Sequence, residues 1–180
     1  MKHFKLTAET KINALGIKLY RIECTIDCKW AKVGDKGGWV ESEDNLSGNA
    51  WVGDNAWVYG DAKVYGDAWV GDNAWVYGDA KVGGNAWVYG DAKVYGDAWV
   101  SGNAKVGGDA DYCAFKSFGS NCRVTTAYRN KDGGVSVVCG CFNGTLSEFE
   151  GKVKETHGDN KYAKEYLAII EVIKIKFDIK

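Results

Sequence analysis

The sequence predicts a mainly β protein, a triangular solenoid of about four coils with a small β cap before it and an α+β cap after it. Three observations predict this fold. Ala recurs every six residues from Ala50 to Ala110, and Val follows two places after each of the first ten. A turn rich in Tyr, Gly, Asp and Asn separates successive Ala-x-Val triplets. A fixed short period is the signature of a solenoid and outranks local propensity.

Each hexad is predicted to form one short strand and one corner. In Ala-x-Val the first and third side chains point to one side and the middle one to the other, as in a strand. Gly with Asp or Asn supplies the tight-turn conformations of a corner. Three hexads close a triangular coil, and successive coils stack about 4.8 Å apart. The predicted interior is therefore a thin column of Val and Ala.

The repeat resembles the hexapeptide-repeat left-handed β-helix family, in which a small residue follows an aliphatic one by four positions. Val52 with Ala56, and Val58 with Ala62, fit this pattern. The spacing predicts the coil, whereas only the resemblance implies the left hand, which opposes the usual right-handed crossover. We therefore expect a left-handed parallel β-helix over residues 38–112, an N-terminal β cap over residues 1–37 and a C-terminal α+β domain over residues 113–180.

Residues 1–37 do not follow the hexad, and their pattern predicts a β-hairpin. Residues 4–6 form one strand, residues 17–22 the other, and residues 13–16 the turn. The ends of a solenoid expose apolar core and unpaired strand edges. We therefore expect this hairpin to cover the first coil, which the six-residue spacing enters at Val40.

After Ala110 the repeat stops, and the pattern predicts the C-terminal cap. Residues 122–129 and 135–139 are rich in β-formers and are joined by NKDGG, which predicts a hairpin. Thr145 with Glu148 predicts a capping box, followed by a helix of about twelve residues that ends near Gly158.

A second helix is predicted to start at Asp159 or Asn160, with apolar residues at helical spacing as far as Ile170. From Ile173 the residues IKIKFDIK alternate instead, which predicts a terminal strand. The boundary between this helix and this strand stays open.

Composition narrows the possible functions. The net charge is −1, and Lys and Arg are interspersed among Asp and Glu. This pattern gives no electrostatic case for binding duplex nucleic acid or an anionic membrane surface. The first residues carry no apolar run, and no stretch is long enough to span a bilayer. We expect a cytoplasmic protein whose six cysteines are reduced thiols.

The histidines argue against the chemistry of the resembled family. Many of its members are acyltransferases with a histidine base, and others resemble carbonic anhydrases that hold zinc with three histidines. This chain has only His3 and His157, both outside the prism. We therefore expect no catalytic activity and no cofactor. An acyltransferase would need His157 to fold back onto a coil, because a general base must reach the group that it activates.

Two sets of residues are candidate metal ligands. Cys139 and Cys141 would share one face of a strand, but their spacing is tighter than a zinc knuckle requires. Corners 18 residues apart stack, which aligns the carboxylates of Asp61, Asp79 and Asp97, a weak candidate for calcium. The alternative is that Asp is a turn residue whose charge water screens. We expect no metal.

The outward residue of each hexad is the most informative feature for function. One side carries Trp51, Trp69, Trp87 and Lys105; the second carries Trp39, Trp57, Trp75 and Lys93; the third carries Asn45, Lys63, Lys81 and Trp99. Tyr59, Tyr77 and Tyr95 also stack at their corners. Two sides are therefore aromatic ladders and one is mostly polar. A covered Trp buries roughly 150–250 Å², so each ladder approaches the largest apolar patch that a monomer leaves exposed.

The ladders predict a non-enzymatic interaction or scaffold protein. We expect a homo-oligomer, a trimer or a dimer, joined through these sides, with a host protein as another possible partner. In the competing account the terminal segments fold back and cover one or both ladders. A binder of nucleotides or sugars, in which Trp and Tyr stack on the ligand and Lys meets phosphate, is the alternative of a different class.

Three segments outside the regular repeat resemble a group of bacterial and prophage-borne repeat proteins. They are LYRI at 19–22, GDKGGWVESEDNLS at 34–47 and GCFNGT at 140–145. The resemblance implies a phage or prophage origin and, with it, interference with a host process such as defence. It implies no enzymatic activity.

Overall fold

The computed structural model describes residues 2–179, and it contains the predicted N-terminal hairpin. Strand β1 (Phe4–Ile12) pairs antiparallel with β2 (Lys18–Cys24). Asn13 closes the turn, because its side-chain oxygen accepts hydrogen bonds from the amides of Leu15 and Ile17, both at 2.9 Å. The hairpin therefore forms as the turn residues predict.

The hairpin covers the first coil, as predicted. Strand β2 pairs antiparallel with β3 (Lys36–Val40), which opens the solenoid. Phe4 and Ile22 are buried in the same core as Val40 and Val52. The Val33 side chain, which breaks the six-residue spacing, is 63% exposed.

Each of the next ten hexads forms one two-residue strand made of its outward residue and its Val. These strands are β4 (Trp51–Val52), β5 (Trp57–Val58), β6 (Lys63–Val64), β7 (Trp69–Val70), β8 (Trp75–Val76), β9 (Lys81–Val82), β10 (Trp87–Val88), β11 (Lys93–Val94), β12 (Trp99–Val100) and β13 (Lys105–Val106).

Parallel pairing of strands 18 residues apart builds the three sides of the prism, each named here by its order along the chain. The first side is β4-β7-β10-β13, the second is β3-β5-β8-β11, and the third is β6-β9-β12. Since the first side has four strands, the chain makes about four coils, as predicted. The second side continues into the hairpin strands β2 and β1.

The core is the predicted column. Every repeat Val from Val52 to Val106 is fully buried, and the repeat Ala from Ala50 to Ala104 are at most 1% exposed. The coils hydrogen bond through their backbones, so that the Trp57 amide donates to the Ala74 carbonyl at 2.9 Å. Small apolar side chains and a continuous backbone ladder therefore hold the coils together.

The C-terminal cap is built on a four-stranded antiparallel sheet. Its strands are β14 (Tyr112–Phe118), β15 (Arg123–Arg129), β16 (Val135–Cys139) and β17 (Phe142–Thr145), paired in that order. The hairpin β15–β16 is the predicted one. The outer strands β14 and β17 were not predicted. One face of this sheet closes the last coil, because Tyr128 and Val138 are buried in the solenoid core.

Two helices cover the other face of this sheet. Helix α1 (Leu146–His157) has the predicted capping box of Thr145 and Glu148. Helix α2 (Lys161–Phe177) starts after Asn160, whose side chain accepts two amide hydrogen bonds. Neither helix in the described residues has the length and hydrophobicity needed to cross a membrane.

The predicted terminal strand is wrong. Helix α2 continues through Ile173 to Phe177. Ile170, Ile173 and Phe177 lie at helical spacing and are buried against the sheet and α1. Burial of these three side chains outweighs the local alternation of Ile and Lys.

Candidate functional site

The outward face of the second side carries two parallel aromatic columns. In the segment Trp57-Val58-Tyr59 the side chains alternate, so Trp57 and Tyr59 both point outward while Val58 fills the core. The same pattern recurs 18 residues later at Trp75 and Tyr77. The tyrosines, expected at the corners, therefore belong to the same face as the tryptophans.

The tryptophan column is a regular stack with cations at both ends. The ring centroids of Trp57 and Trp75 are 4.9 Å apart, and their planes differ by 1°. The Lys93 ammonium lies 5.3 Å from the Trp75 ring. At the other end the guanidinium of Arg21 lies 5.2 Å from the ring of Trp39. The positive charges face ring surfaces, which is the favourable geometry for a cation near an aromatic ring.

The tyrosine column is stacked in the same way. Tyr59 and Tyr77 have centroids 5.1 Å apart, and Tyr77 and Tyr95 are 5.3 Å apart. Tyr59 is buried against Leu19 of β2, whereas Tyr95 is 51% exposed. The column thus becomes more accessible along the solenoid, away from the N-terminal cap.

Stacking covers both faces of Trp75 and one face of Trp57. Trp57 and Trp75 cover each other's faces, and Lys93 covers the outer face of Trp75. Trp57 and Trp75 remain half-buried and are therefore partly accessible from solvent. This face is a surface of ring edges, with Lys93 and Asp109 at its margin.

The first side does not present the expected free ladder, because the N-terminal segment covers it. Trp30, which sequence reasoning missed, lies with its ring centroid 6.5 Å from that of Trp69 and 5.6 Å from that of Trp87. Trp69 and Trp87 meet at 61° rather than in parallel. Lys105 continues this column, and its ammonium nitrogen lies 5.5 Å from the ring centroid of Trp87. Trp30 of the same chain thus covers part of the first side, while Trp87 stays 39% exposed.

Two tryptophans expected at an interface are instead buried within the chain. Trp39 and Trp51 are each 4% exposed. The ring of His3 lies 6.1 Å from that of Trp51, and Lys11 lies 4.3 Å from that of Trp39. Both tryptophans occupy the first coil, which the N-terminal hairpin covers, so neither can contact a partner.

The third side is polar, as expected, but Asn45 is not an outward residue of it. Asn45 is 1% exposed, and its side-chain amide donates to the carbonyls of Gly60 and Ala62, both at 3.0 Å. It satisfies the backbone at the start of this side. At the far end, Trp99 donates its indole N–H to the Tyr65 hydroxyl at 2.8 Å.

The stacked carboxylates of Asp61, Asp79 and Asp97 line an open groove of about 570 Å³ on the third side together with lysines. Lys116 forms an ion pair with Asp97. Within residues 2–179, no group of three or more His, Cys, Asp or Glu side chains is arranged to hold a metal ion. The aspartates therefore act as turn residues next to cations.

The cysteines and histidines lie apart from the second side. All six cysteines are free thiols. Cys139 and Cys141 do not share a strand face, because Gly140 with a φ of 60° starts a tight turn that leaves Cys141 exposed and Cys139 buried. His157 stacks on Tyr166 in the C-terminal cap, with centroids 5.8 Å apart. It does not lie over a coil.

Comparison with known proteins gives no family. No protein-family model matches the chain, and no curated protein matches it significantly.

Buried tyrosines predict loss of stability at alkaline pH. Burial raises the pKa of Tyr59 and Tyr77 from the ordinary value of 10.0, and it raises the pKa of Tyr166 to about 12. Below pH 10 folded and unfolded chains both keep these protons. Above it the unfolded chain releases them first, so the free energy of unfolding should fall as the pH rises through about 12.

Urea unfolding followed by circular dichroism across this pH range measures the effect. Tyr166→Phe removes one titrating group and should make the fall in the unfolding free energy shallower. A free energy of unfolding that stays constant up to pH about 12 would contradict the prediction.

Proposed function

We propose that this chain is a non-enzymatic interaction protein that binds a second copy of itself through the outward face of the second side. The observation that carries the proposal is the pair of neighbouring columns in which Trp57, Trp75, Tyr77 and Tyr95 remain accessible. Aromatic enrichment with few charges is the composition of an interface core. A partner would cover ring edges here without burying an unpaired charge.

A two-fold dimer fits this surface better than a ring. A ring of identical chains needs two different patches on each chain, whereas a two-fold dimer needs one self-complementary patch. Trp30 packs against both Trp69 and Trp87 of the first side. The second side carries two neighbouring stacked columns, whereas Trp30 interrupts the first side, so we propose a dimer rather than a trimer.

The stacking also favours a protein partner over a nucleotide or a sugar. A stacked ligand needs the free face of an aromatic ring. Trp57 and Trp75 stack on each other, and Lys93 lies over the outer face of Trp75. A flat protein surface needs only the exposed edges.

The biological setting is part of the proposal. The segments that resemble prophage-borne repeat proteins support a phage or prophage origin, and interference with a host process is the use that this origin suggests. Six free thiols are typical of the cytoplasm, where they stay reduced. In this setting the dimer is the active form, and a host protein is its target.

The test replaces Trp57 and Trp75 together by Lys and measures the mass in solution by light scattering. Lys already occupies the next position of this column at Lys93, and Trp57 and Trp75 point away from the Val column, so the fold should persist. We expect the double variant to be a monomer with a wild-type circular dichroism spectrum. If the wild type is a dimer and the double variant has the same mass in solution, the proposal is contradicted.

The matched control replaces an exposed apolar pair away from the second side, Val172 and Ile175 on α2, by Lys. These side chains are 49% and 80% exposed. This double variant should remain a dimer. If it becomes a monomer while the tryptophan variant does not, α2 is the interface. If the wild type is itself a monomer at micromolar concentration, self-association is wrong and the aromatic face serves a different protein.

A further inference from the structure

A separate cleft of about 240 Å³ opens between the C-terminal sheet and helix α1, away from the second side. Strand β17 contributes Phe142, helix α1 contributes Phe149 and His157, and helix α2 contributes Tyr166. Arg123 of β15 also lines it. Ligand sites are usually apolar clefts with a few converging polar groups, and this cleft has that composition.

The walls of the cleft form a box of aromatic rings. Phe142 and Phe149 have centroids 5.2 Å apart, Phe149 and Tyr166 are 5.7 Å apart, and His157 stacks on Tyr166 at 5.8 Å. Phe149 and Tyr166 are 4% and 6% exposed, so core packing fixes their positions. Planar walls held in place in this way favour a planar ligand, because little side-chain entropy is lost on binding.

The polar groups of the cleft are biased toward an anion. Arg123 and Lys152 line it, and no Asp or Glu is among its lining residues. Lys152 pairs with Glu155 at 2.9 Å, but both side chains are more than half exposed, so this pair is weak. In the part of the chain that the structure describes, the Arg123 guanidinium has no carboxylate within ion-pair distance.

Gly140 sets the path of the Arg123 side chain, which lines both this cleft and the groove of the stacked aspartates on the third side. A Cβ added at Gly140 would lie 2.4 Å from an Nη atom of Arg123, so the guanidinium crosses the tight turn between β16 and β17. Any larger residue at position 140 would displace it. The positive φ of the glycine and its missing side chain thus hold the cation at the edge of the aromatic box.

Cys139, in the wall of the cleft, contributes packing and not reactivity. The Cys139 thiol accepts a hydrogen bond from the Thr125 hydroxyl at 3.2 Å and lies 3.8 Å from the Tyr166 hydroxyl oxygen. It is buried, and both partners are neutral. A thiol without a cationic partner is a poor nucleophile. Cys139 is therefore suited to packing and not to covalent chemistry; the exposed Cys141 also lines the cleft.

We propose that this cleft binds a small carboxylate with one aromatic ring, placing the ring in the aromatic box and the carboxylate on Arg123. Its volume lies below the roughly 300–1,000 Å³ of typical ligand pockets, which limits the ligand to one ring. Arg matches a carboxylate with two parallel hydrogen bonds. The inference is independent of the dimer, because none of these residues lies on the second side.

The test titrates sodium benzoate and its neutral isostere benzamide into the full chain, followed by amide NMR shifts. We expect saturable benzoate binding with shifts in α1 and β17, and about ten-fold weaker benzamide binding, the loss that accompanies removal of one charge-assisted hydrogen bond. Arg123→Gln should lower the benzoate affinity to that of benzamide. Thr156→Trp, at the exposed rim, should block both.

A matched control removes a cation that does not line the cleft, by Lys164→Gln on the exposed surface of α2. This variant should bind benzoate like the wild type. Absence of saturable shifts at tens of millimolar benzoate would overturn the proposal. So would equal affinities for benzoate and benzamide, or an Arg123→Gln variant that binds benzoate unchanged. If Thr156→Trp fails to fold, the comparison of Arg123→Gln with Lys164→Gln still decides.

Discussion

Replacing Val76 by Asp should unfold the solenoid. Val76 is fully buried, and it pairs in register with Val58 and Val94 of the neighbouring coils. The core column contains only Val and Ala at this level, so the carboxylate would have no partner. An uncompensated buried charge costs on the order of 3–5 kcal/mol, which is a large part of the 5–15 kcal/mol that typically stabilises a domain.

Urea unfolding monitored by circular dichroism measures this loss. Lys105→Asp is the matched control, because Lys105 is an exposed outward residue of the first side. It introduces the same side chain on the outside of the prism and should leave the midpoint nearly unchanged. A Val76→Asp variant with the wild-type midpoint would mean that the Val column is not the interior.

Removing residues 111–180 should make the remaining chain aggregate. The C-terminal sheet closes the last coil: Tyr112, Tyr128 and Val138 are buried in the solenoid core. Thr126 accepts a hydrogen bond from the Trp99 amide at 3.0 Å, and the Lys131 amide donates to the Asn103 carbonyl at 3.0 Å. Deletion would expose the apolar end of the column and the strand edges together.

The soluble fraction after expression, with light scattering of any soluble material, tests this prediction. A soluble fragment with the β-rich circular dichroism spectrum of a folded solenoid would contradict it. Such a result would mean that the last coil needs no cover, and that the C-terminal domain serves binding alone.

The solenoid could be predicted almost completely because its information is local and repeated. The sequence of each hexad determines its own strand, corner and inward residues. The repeat Ala from Ala50 to Ala104 occupy the same buried, inward position in every coil. The outward columns follow from the 18-residue stacking, which the pairing of Trp57 with Trp75 confirms. The left hand of the coil stays a prediction, since it rested on resemblance.

The coverage of the ladders could not be predicted from the repeat. Trp30 lies in an irregular segment between β2 and β3, and its contact with Trp69 and Trp87 depends on how that segment returns over the first side. The burial of Trp39 and Trp51 has the same origin. Periodicity determines which residues point outward, whereas the non-repetitive segments determine which of them solvent reaches.

The prediction of a strand at the end of the chain was wrong for a different reason. Between Ile173 and Phe177 the apolar residues fit both alternation and helical spacing, and the pattern alone does not choose between them. The fold chooses the helix, since α1 and the C-terminal sheet bury Ile173 and Phe177. The cleft beside α1 was missed because its residues come from five separate elements.

Oxidative footprinting with hydroxyl radicals, performed across the concentration range in which the chain associates, tests the dimer surface most directly. It reports the solvent access of individual aromatic side chains in the wild-type chain. The account predicts that Trp57, Trp75 and Tyr95 become protected as the concentration rises, while Trp87, 39% exposed on the first side, keeps its oxidation rate. Unchanged rates at the second side, or protection of Trp87 alone, would contradict it.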